Sequence, residues 1–318
     1  MSGSKAVRAV SKAEVHADIV PQDSQVSAKL PQATQDERPR RRWFVLSWYA
    51  LNMLLVCAVL AAIYSVAWEY STRRYLKGFS DAIIPLTAPP EEKVEAILSW
   101  MSHGPARQAS TQDILATDRD PTDTLNYDSL LQVCGSATNA FINLADSAGL
   151  PSRRLLLLAP NRTAVHVVAE VLIDGRWIVV DPAYRVIPRG SDGSLLTARQ
   201  LADPKVFAAA TAVIPKYDPN YTFVSTAHVR LSAIPHIGSF LRRILDRILP
   251  DWEDSTSVSL LLERKSMDDM VIALLAVFLL ALLRTGFRWY GETRLGLHPV
   301  RIRVQVWRAV QAFLDTAS

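Results

Sequence analysis

The most apolar part of the chain is the run from Trp43 to Trp68, which contains no charged side chain. As a helix with a rise of ~1.5 Å per residue it reaches ~39 Å, enough to cross the ~30 Å hydrocarbon core of a bilayer with some tilt. A second apolar run, Met270 to Leu283, continues past Arg284, whose long side chain can reach the membrane surface. The pattern predicts membrane-spanning helices over residues 43–68 and 269–290. A cleaved signal peptide is the alternative for the first run, and a buried or interfacial helix is the alternative for the shorter second run.

Basic side chains flank both runs on one side. They are Arg38, Arg40, Arg41 and Arg42 before the first run, and Arg284, Arg288 and Arg294 after the second. Since arginine and lysine concentrate in cytoplasmic segments, we expect both termini in the cytoplasm and residues 69–268 outside it. The sequence therefore predicts a two-pass protein of the inner (cytoplasmic) membrane with a periplasmic main domain. Residues 1–42 are expected to form a disordered cytoplasmic tail, and residues 291–318 an amphipathic one.

Between the two runs the pattern changes from helical to strand-like. Pro90 followed by two glutamates is typical of a helix start, and apolar spacing predicts a second helix over Ser129–Ala148. The β-rich runs Ala164–Ile173 and Arg176–Val180 flank Asp174-Gly175, which is a strong hairpin signal. Helices followed by antiparallel strands predict an α+β domain with its core at about residues 89–204.

Two further segments have distinctive patterns. Residues 104–126 are mostly polar and predict a loop. Ser239–Leu249 is amphipathic, with apolar side chains on one face and arginines on the other. It is either a surface helix of the domain or a helix that rests on the outer leaflet before the second span.

Composition narrows the class of protein. Hydrophobic residues make up 49% of the 318 residues, and the net charge of +4 is too small to indicate nucleic-acid binding. Of the two cysteines, Cys57 lies in the first predicted span, so Cys134 has no partner for a disulfide within the exported domain. Cys134 is then either a small buried core residue or a thiol with a chemical use.

The surroundings of Cys134 favour a chemical use. A thiol near a helix N-terminus gains from the amide dipoles, and the N–H of Gly135 can serve as an oxyanion donor. Pairing the two strands around residues 174 and 175 places His166 opposite residue 183, two residues from Asp181. A cysteine nucleophile, a histidine base and an aspartate that orients it are therefore available. A structural histidine and a turn-forming aspartate remain the alternatives.

These residues resemble the transglutaminase-like superfamily, which has a papain-like fold. The resemblance runs from about Glu91 to Pro204, and its motifs read Cys134-Gly135, Gly149-Leu150-Pro151, His166-Val167-Val168-Ala169-Glu170-Val171 and Asp181-Pro182-Ala183-Tyr184. The resemblance implies a nucleophile at Cys134, a general base and then acid at His166, and an orienting residue at Asp181. Independently of the resemblance, the sequence has no Gly-rich phosphate loop, no CxxC motif and no histidines at metal-ligand spacing, so no metal and no cofactor is predicted.

Further site candidates are less specific. Gly135 and Gln132 are candidate oxyanion donors, and Trp177 is a candidate substrate contact. The chain departs from the family pattern at Val167, where an aromatic residue is frequent, and at Gln132-Val133, where a glycine is common two residues before the cysteine.

The resemblance implies a membrane-anchored cysteine enzyme that forms a thioacyl intermediate at an amide bond and passes the acyl group to an amine or to water. Proteins or peptides of the cell envelope are the expected substrates. The alternative is a non-catalytic module that keeps the fold and binds partners in an envelope-assembly or polysaccharide-export complex. An arylamine acetyltransferase is a third hypothesis, less compatible with a membrane anchor.

Overall fold

The structure is a computed structural model that describes residues 37–103, 120, 121, 125, 133–229, 238–249 and 252–294, the side chains of 37–41 and 238–241 excepted. Its helices are α1 (Glu37–Ile83), α2 (Pro90–Ser102), α3 (Cys134–Ser147), α4 (Ala198–Leu201), α5 (Pro204–Thr211), α6 (Gly238–Ile248), α7 (Thr256–Glu263) and α8 (Lys265–Arg294), with a 3₁₀ turn at Trp252–Asp254. Its strands are β1 (Ser152–Leu158), β2 (Ala164–Ile173), β3 (Arg176–Val180) and β4 (Thr226–Ala227). The sequence predictions for residues 1–36, most of the 104–126 loop, Gln132 and the C-terminal tail lie outside the described residues.

Two helices are long and apolar enough to cross a membrane, by length and composition. They are α1 and α8, and each contains one of the predicted apolar runs. Apolar side chains such as Leu60 and Ile63 on α1 and Phe278 on α8 are exposed, as expected for helices whose surroundings are lipid. At ~1.5 Å per residue, the 47 residues of α1 extend well beyond a bilayer.

The chain divides after Ser47 into two units, and the residues discussed below belong to the second. Beyond Trp68, α1 becomes part of the domain, because Leu76 is fully buried in its hydrophobic core. The same helix is therefore both a candidate membrane span and a core element of the folded domain.

The described strands form one antiparallel sheet in the order β3-β2-β1-β4. Ala169 pairs with Val180, and Glu170 pairs with Val179, which is the register predicted from the Asp174-Gly175 turn. Asp174 and Gly175 both have positive φ, 48° and 74°. Two left-handed residues in a two-residue hairpin define a type I′ turn, whose twist matches that of the strands.

Hydrophobic side chains pack on both faces of the sheet. On one face α3 packs on β1 and β2, and α2 packs against α3. The predicted inward positions of α2 are buried: Val94, Ile97, Leu98 and Met101. On the other face Val168 and Val179 pack against Leu201 and Phe223 from the segments after the hairpin. Helices on an antiparallel four-stranded sheet, flanked by the two candidate membrane helices, confirm the predicted α+β class.

A buried polar cluster joins both candidate membrane helices to α3. The guanidinium of Arg264, which is 1% exposed, donates to Asn143 Oδ1 at 2.8 Å, to Asp146 Oδ2 at 3.0 Å and to Glu69 Oε1 at 3.3 Å. The hydroxyl of Ser266 donates to the other oxygen of Glu69 at 2.6 Å. Glu69 belongs to α1, Arg264 immediately precedes α8, and Asn143 and Asp146 belong to α3, so this cluster fixes the three helices to one another.

Candidate active site

Cys134 is the first residue of α3. Val133 is extended (φ −141°, ψ 149°), so α3 begins at Cys134, and residues 129–132 of the helix predicted over Ser129–Ala148 lie outside the described residues. The amides at the start of a helix have no intrahelical acceptor, and the N-cap residue Val133 makes no side-chain hydrogen bond to them. The thiol therefore lies closer to the positive end of the helix dipole than the sequence predicted, which favours its thiolate form.

One hydrogen bond aligns Cys134 with the strand that carries the histidine. Thr138 lies one helical turn after Cys134 on the same side of α3, and its hydroxyl donates to the carbonyl oxygen of Val167 at 3.0 Å. Val167 directly follows His166 in β2. The contact therefore brings the first turn of α3 beside the beginning of β2.

His166 and Asp181 are fully buried and hydrogen-bonded to each other. His166 Nε2 lies 2.7 Å from Asp181 Oδ2, and because a carboxylate only accepts, Nε2 carries the hydrogen. The other carboxylate oxygen, Oδ1, accepts from the backbone N–H groups of Ala183 and Tyr184 at 3.1 and 3.2 Å. Asp181 is thus held from behind by its own chain while it faces the imidazole.

The pKa of His166 reflects this arrangement. Burial alone lowers it, but the charge and the hydrogen bond of Asp181, together with smaller contributions from Cys134, raise the pKa to about 9 from an ordinary 6.5. Nδ1 is buried and has no oxygen or nitrogen partner among the described residues. Since Nε2 is directed at Asp181, Nδ1 is the ring nitrogen that remains for the thiol. The imidazole therefore carries a positive charge at neutral pH beside the sulfur.

The structure therefore brings the three predicted triad residues together, with Cys134 only 2% exposed. A thiol at a helix start, an imidazolium and an orienting carboxylate form the arrangement that nucleophilic attack on a carbonyl requires. The N–H groups of the first turn, including that of Gly135, are available to an oxyanion beside the sulfur.

Sequence reasoning missed three tyrosines around His166. The Tyr221 ring stacks on the imidazole at 4.2 Å between centroids and 3° between planes. Tyr184 and Tyr217 meet the same ring edge-on at 6.0 and 6.4 Å. The hydroxyl of Tyr217 donates to Asp181 Oδ2 at 3.0 Å. Only Tyr184, in the Asp-Pro-Ala-Tyr motif, had a signal in the sequence.

The remaining candidates have different outcomes. Gln132 lies outside the described residues. Trp177 is not placed with the triad: it lies toward the turn end of β3, and the guanidinium of Arg153 lies over its ring at 4.1 Å. Arg153 is buried and pairs with Glu170 at 2.8 Å, so both the arginine and the glutamate act in the packing of the sheet. The alternation of side chains along a strand shows which face of the sheet a residue lies on, but it does not identify a partner that is far away in the sequence.

The part of the chain that the structure describes contains neither a cluster of metal ligands nor a disulfide. No group of three or more histidine, cysteine, aspartate or glutamate side chains is arranged there to hold a metal ion. Cys57 and Cys134, both within the described residues, form no disulfide.

Comparison with protein families gives an independent result. A family model for the transglutaminase-like superfamily matches residues 77–182, a segment that includes Cys134, His166 and Asp181. The central part of the chain is therefore a transglutaminase-like domain, as its motifs indicated. Comparisons with curated proteins and with solved structures find no match.

Proposed function

We propose that the transglutaminase-like domain of this chain is a membrane-anchored cysteine enzyme that acts on amide bonds through a thioacyl intermediate. The observation that carries the proposal is the His166 imidazole, which is hydrogen-bonded to Asp181 and charged at neutral pH beside Cys134. A cysteine nucleophile needs a neighbouring cation to form its thiolate, and protonated His166 supplies that cation beside Cys134.

The proposed reaction has two steps. In the first, the Cys134 thiolate attacks the carbonyl carbon, a C–S bond forms, and the carbonyl electron pair moves to oxygen, where the α3 amides stabilise it. The oxyanion collapses, the C–N bond breaks, and the leaving amine takes the proton from His166 Nδ1.

In the second step an amine or a water molecule attacks the thioester. Neutral His166 accepts a proton from the attacking group, the C–S bond breaks, and the thiolate and imidazolium are restored. An amine as acceptor gives transamidation, and water gives peptide or isopeptide hydrolysis.

The two candidate membrane helices support a location at the cell envelope. With the arginine-rich flanks in the cytoplasm, the domain between the helices faces the periplasm. We propose envelope proteins or peptides as substrates because they are the amides available on that side.

One observation favours a second candidate function. The imidazole and the carboxylate are completely buried, and the thiol is nearly so. A closed site is compatible with a non-catalytic transglutaminase-fold module that binds partners in a membrane complex. Cys134→Ala discriminates between the two, since it abolishes a catalytic function and leaves a binding function intact.

The first experiment measures alkylation of Cys134 against pH on the full chain in lipid nanodiscs. Cys57→Ser removes the exposed thiol in the membrane segment and leaves one cysteine. We expect an apparent thiol pKa well below the ordinary ~8.5, and we expect His166→Ala to raise it because the neighbouring cation is lost.

Matched variants make the result specific. His228→Ala removes another partly buried histidine that contacts Glu170 and lies outside the triad, and it should leave the alkylation profile unchanged. An ordinary, slow thiol that His166→Ala does not affect would contradict the catalytic proposal and favour the binding module.

A further inference from the structure

The segment after α5 supplies a layer over the triad that lies outside the matched family region. Residues 212–223 follow α5, whereas the family match ends at residue 182. Tyr217 and Tyr221 in this segment both contact His166, and their own rings meet at 5.7 Å. The hydroxyl of Tyr184 donates to the carbonyl oxygen of Lys216 at 3.3 Å and anchors the segment to the motif that contains Asp181.

We propose that Tyr217 and Tyr221 are positioning residues of this site. Through them the 212–223 segment controls how readily the His166 imidazole keeps its proton and separates the imidazole from solvent. The inference rests on the proposed cysteine chemistry and names two residues that serve it.

Tyr217 acts through Asp181. Its hydroxyl and His166 Nε2–H donate to the same oxygen, Oδ2, at 3.0 and 2.7 Å. Burial, followed by the charge of Asp181, raises the pKa of Tyr217 far above its ordinary value of 10, so the hydroxyl keeps its proton and remains a donor. Because two donors share one carboxylate oxygen, the hydrogen bond from Tyr217 weakens the stabilisation that Asp181 gives to the imidazolium.

The orientation of Asp181 does not depend on this tyrosine. Its Oδ1 is already fixed by the N–H groups of Ala183 and Tyr184, and its backbone is paired with Val186. Removing the Tyr217 hydroxyl should therefore leave the carboxylate in place and strengthen its hydrogen bond and electrostatic interaction with His166.

Tyr221 acts on the face of the ring. Its plane is parallel to the imidazole within 3°, so the negative π-face lies against the imidazolium and favours the charged form. Tyr221 is itself partly exposed while His166 is fully buried, which places the phenol ring between the imidazole and solvent.

The test uses the upper inflection of the Cys134 alkylation profile, which reports the loss of the His166 proton. It is measured on the full chain with Cys57→Ser in nanodiscs, with iodoacetamide as the probe. We expect Tyr217→Phe to move this inflection upward by ~0.5 pH unit or more, since one competing hydrogen bond is lost. We expect Tyr221→Leu, which keeps an apolar cover but no π-face, to move it downward by a similar amount, and Tyr221→Phe to retain it.

Tyr75→Phe, a tyrosine change on α1 outside the site, is the matched control. A merely structural role predicts a lower Tm with an unmoved inflection, so unchanged inflections in both Tyr217→Phe and Tyr221→Leu would overturn the inference. A parent protein without a low-pKa thiol gives a separate result, which overturns the proposed chemistry itself.

Discussion

At the scale of residues, the charge of His166 follows from two opposing effects on its pKa, which are burial and the contact with Asp181. A fully buried imidazole is penalised for carrying charge, and only a directly bonded carboxylate can outweigh that penalty. Asp181 does so at 2.7 Å, and the resulting pKa is about 9. Because the folded pKa lies above the ordinary 6.5, protonated His166 contributes stability that is fully present below pH 6.5.

This stability is lost as the pH rises through about 9. A shift of this size corresponds to on the order of 3 kcal/mol. The measurement uses the Cys134→Ala background, in which no thiol titration offsets that of His166, and there we expect the free energy of unfolding to fall between pH 6.5 and pH 9.5 in chemical denaturation of the full chain in nanodiscs. His166→Gln, which cannot titrate, should show a flatter profile, and equal slopes in the two proteins would contradict the assignment.

At the scale of elements, the Arg264 cluster explains why α1 and α8 belong to the folded domain. Glu69 and Arg264 are 3% and 1% exposed and pair with each other. Arg264 also donates to side chains of α3, and Glu69 also accepts from Arg73 and Ser266, each at 2.6 Å. A buried ion pair is costly to break because the remaining charge stays without compensation. The first turn of α3, which carries Cys134, is therefore on a helix that both candidate membrane helices hold in place.

Removing Arg264 alone should be strongly destabilising. We expect Arg264→Met to lower the free energy of unfolding by about 3 kcal/mol, because buried Glu69 loses its buried partner and keeps only the half-exposed Arg73 and the Ser266 hydroxyl. Combining it with Glu69→Leu removes both charges and should recover part of the loss. Thermal unfolding of the two variants, beside the exposed-surface control Val213→Ala, measures the difference. A double variant less stable than Arg264→Met would argue against this explanation.

At the scale of the whole molecule, two apolar helices flank one domain. Arg284 of α8 donates to Asn52 Oδ1 of α1 at 2.9 Å, and its guanidinium lies over the Trp48 ring at 5.2 Å. Polar contacts of this kind hold helices together in lipid, where no water competes for the groups. The contacts Asn52–Arg284 and Glu69–Arg264 make α1 and α8 antiparallel, which is compatible with the topology proposed from the arginine flanks.

Thiol labelling in intact cells tests this topology. Val213 is 82% exposed on the domain, so Val213→Cys in a Cys57→Ser/Cys134→Ala protein should react with a membrane-impermeant maleimide added outside the inner membrane. Ser4→Cys in the N-terminal tail should react only after lysis. Labelling of Ser4→Cys but not of Val213→Cys in intact cells would show that the orientation is the opposite of the proposed one.

The sequence alone determined the features that depend on neighbouring residues. The hairpin register around Asp174-Gly175 was predictable because both central residues of a type I′ turn need positive φ, which Asp-Gly adopts readily, and a two-residue turn fixes the pairing of the strands. That register placed His166 beside Asp181, and apolar length identified both candidate spans, because a bilayer requires about 20 apolar residues. The identity of the three triad residues followed from these local patterns together with the family motifs.

Tertiary structure decided what depends on residues far apart in the chain. Tyr217 reaches Asp181 across 36 positions, and Arg264 reaches Glu69 across 195, and neither contact leaves a periodic pattern. Trp177 was a candidate substrate contact, but the Arg153 guanidinium lies over its ring. Side-chain chemistry and spacing indicate which groups can react, whereas the packing of distant segments decides how charged, how buried and how fixed each group is.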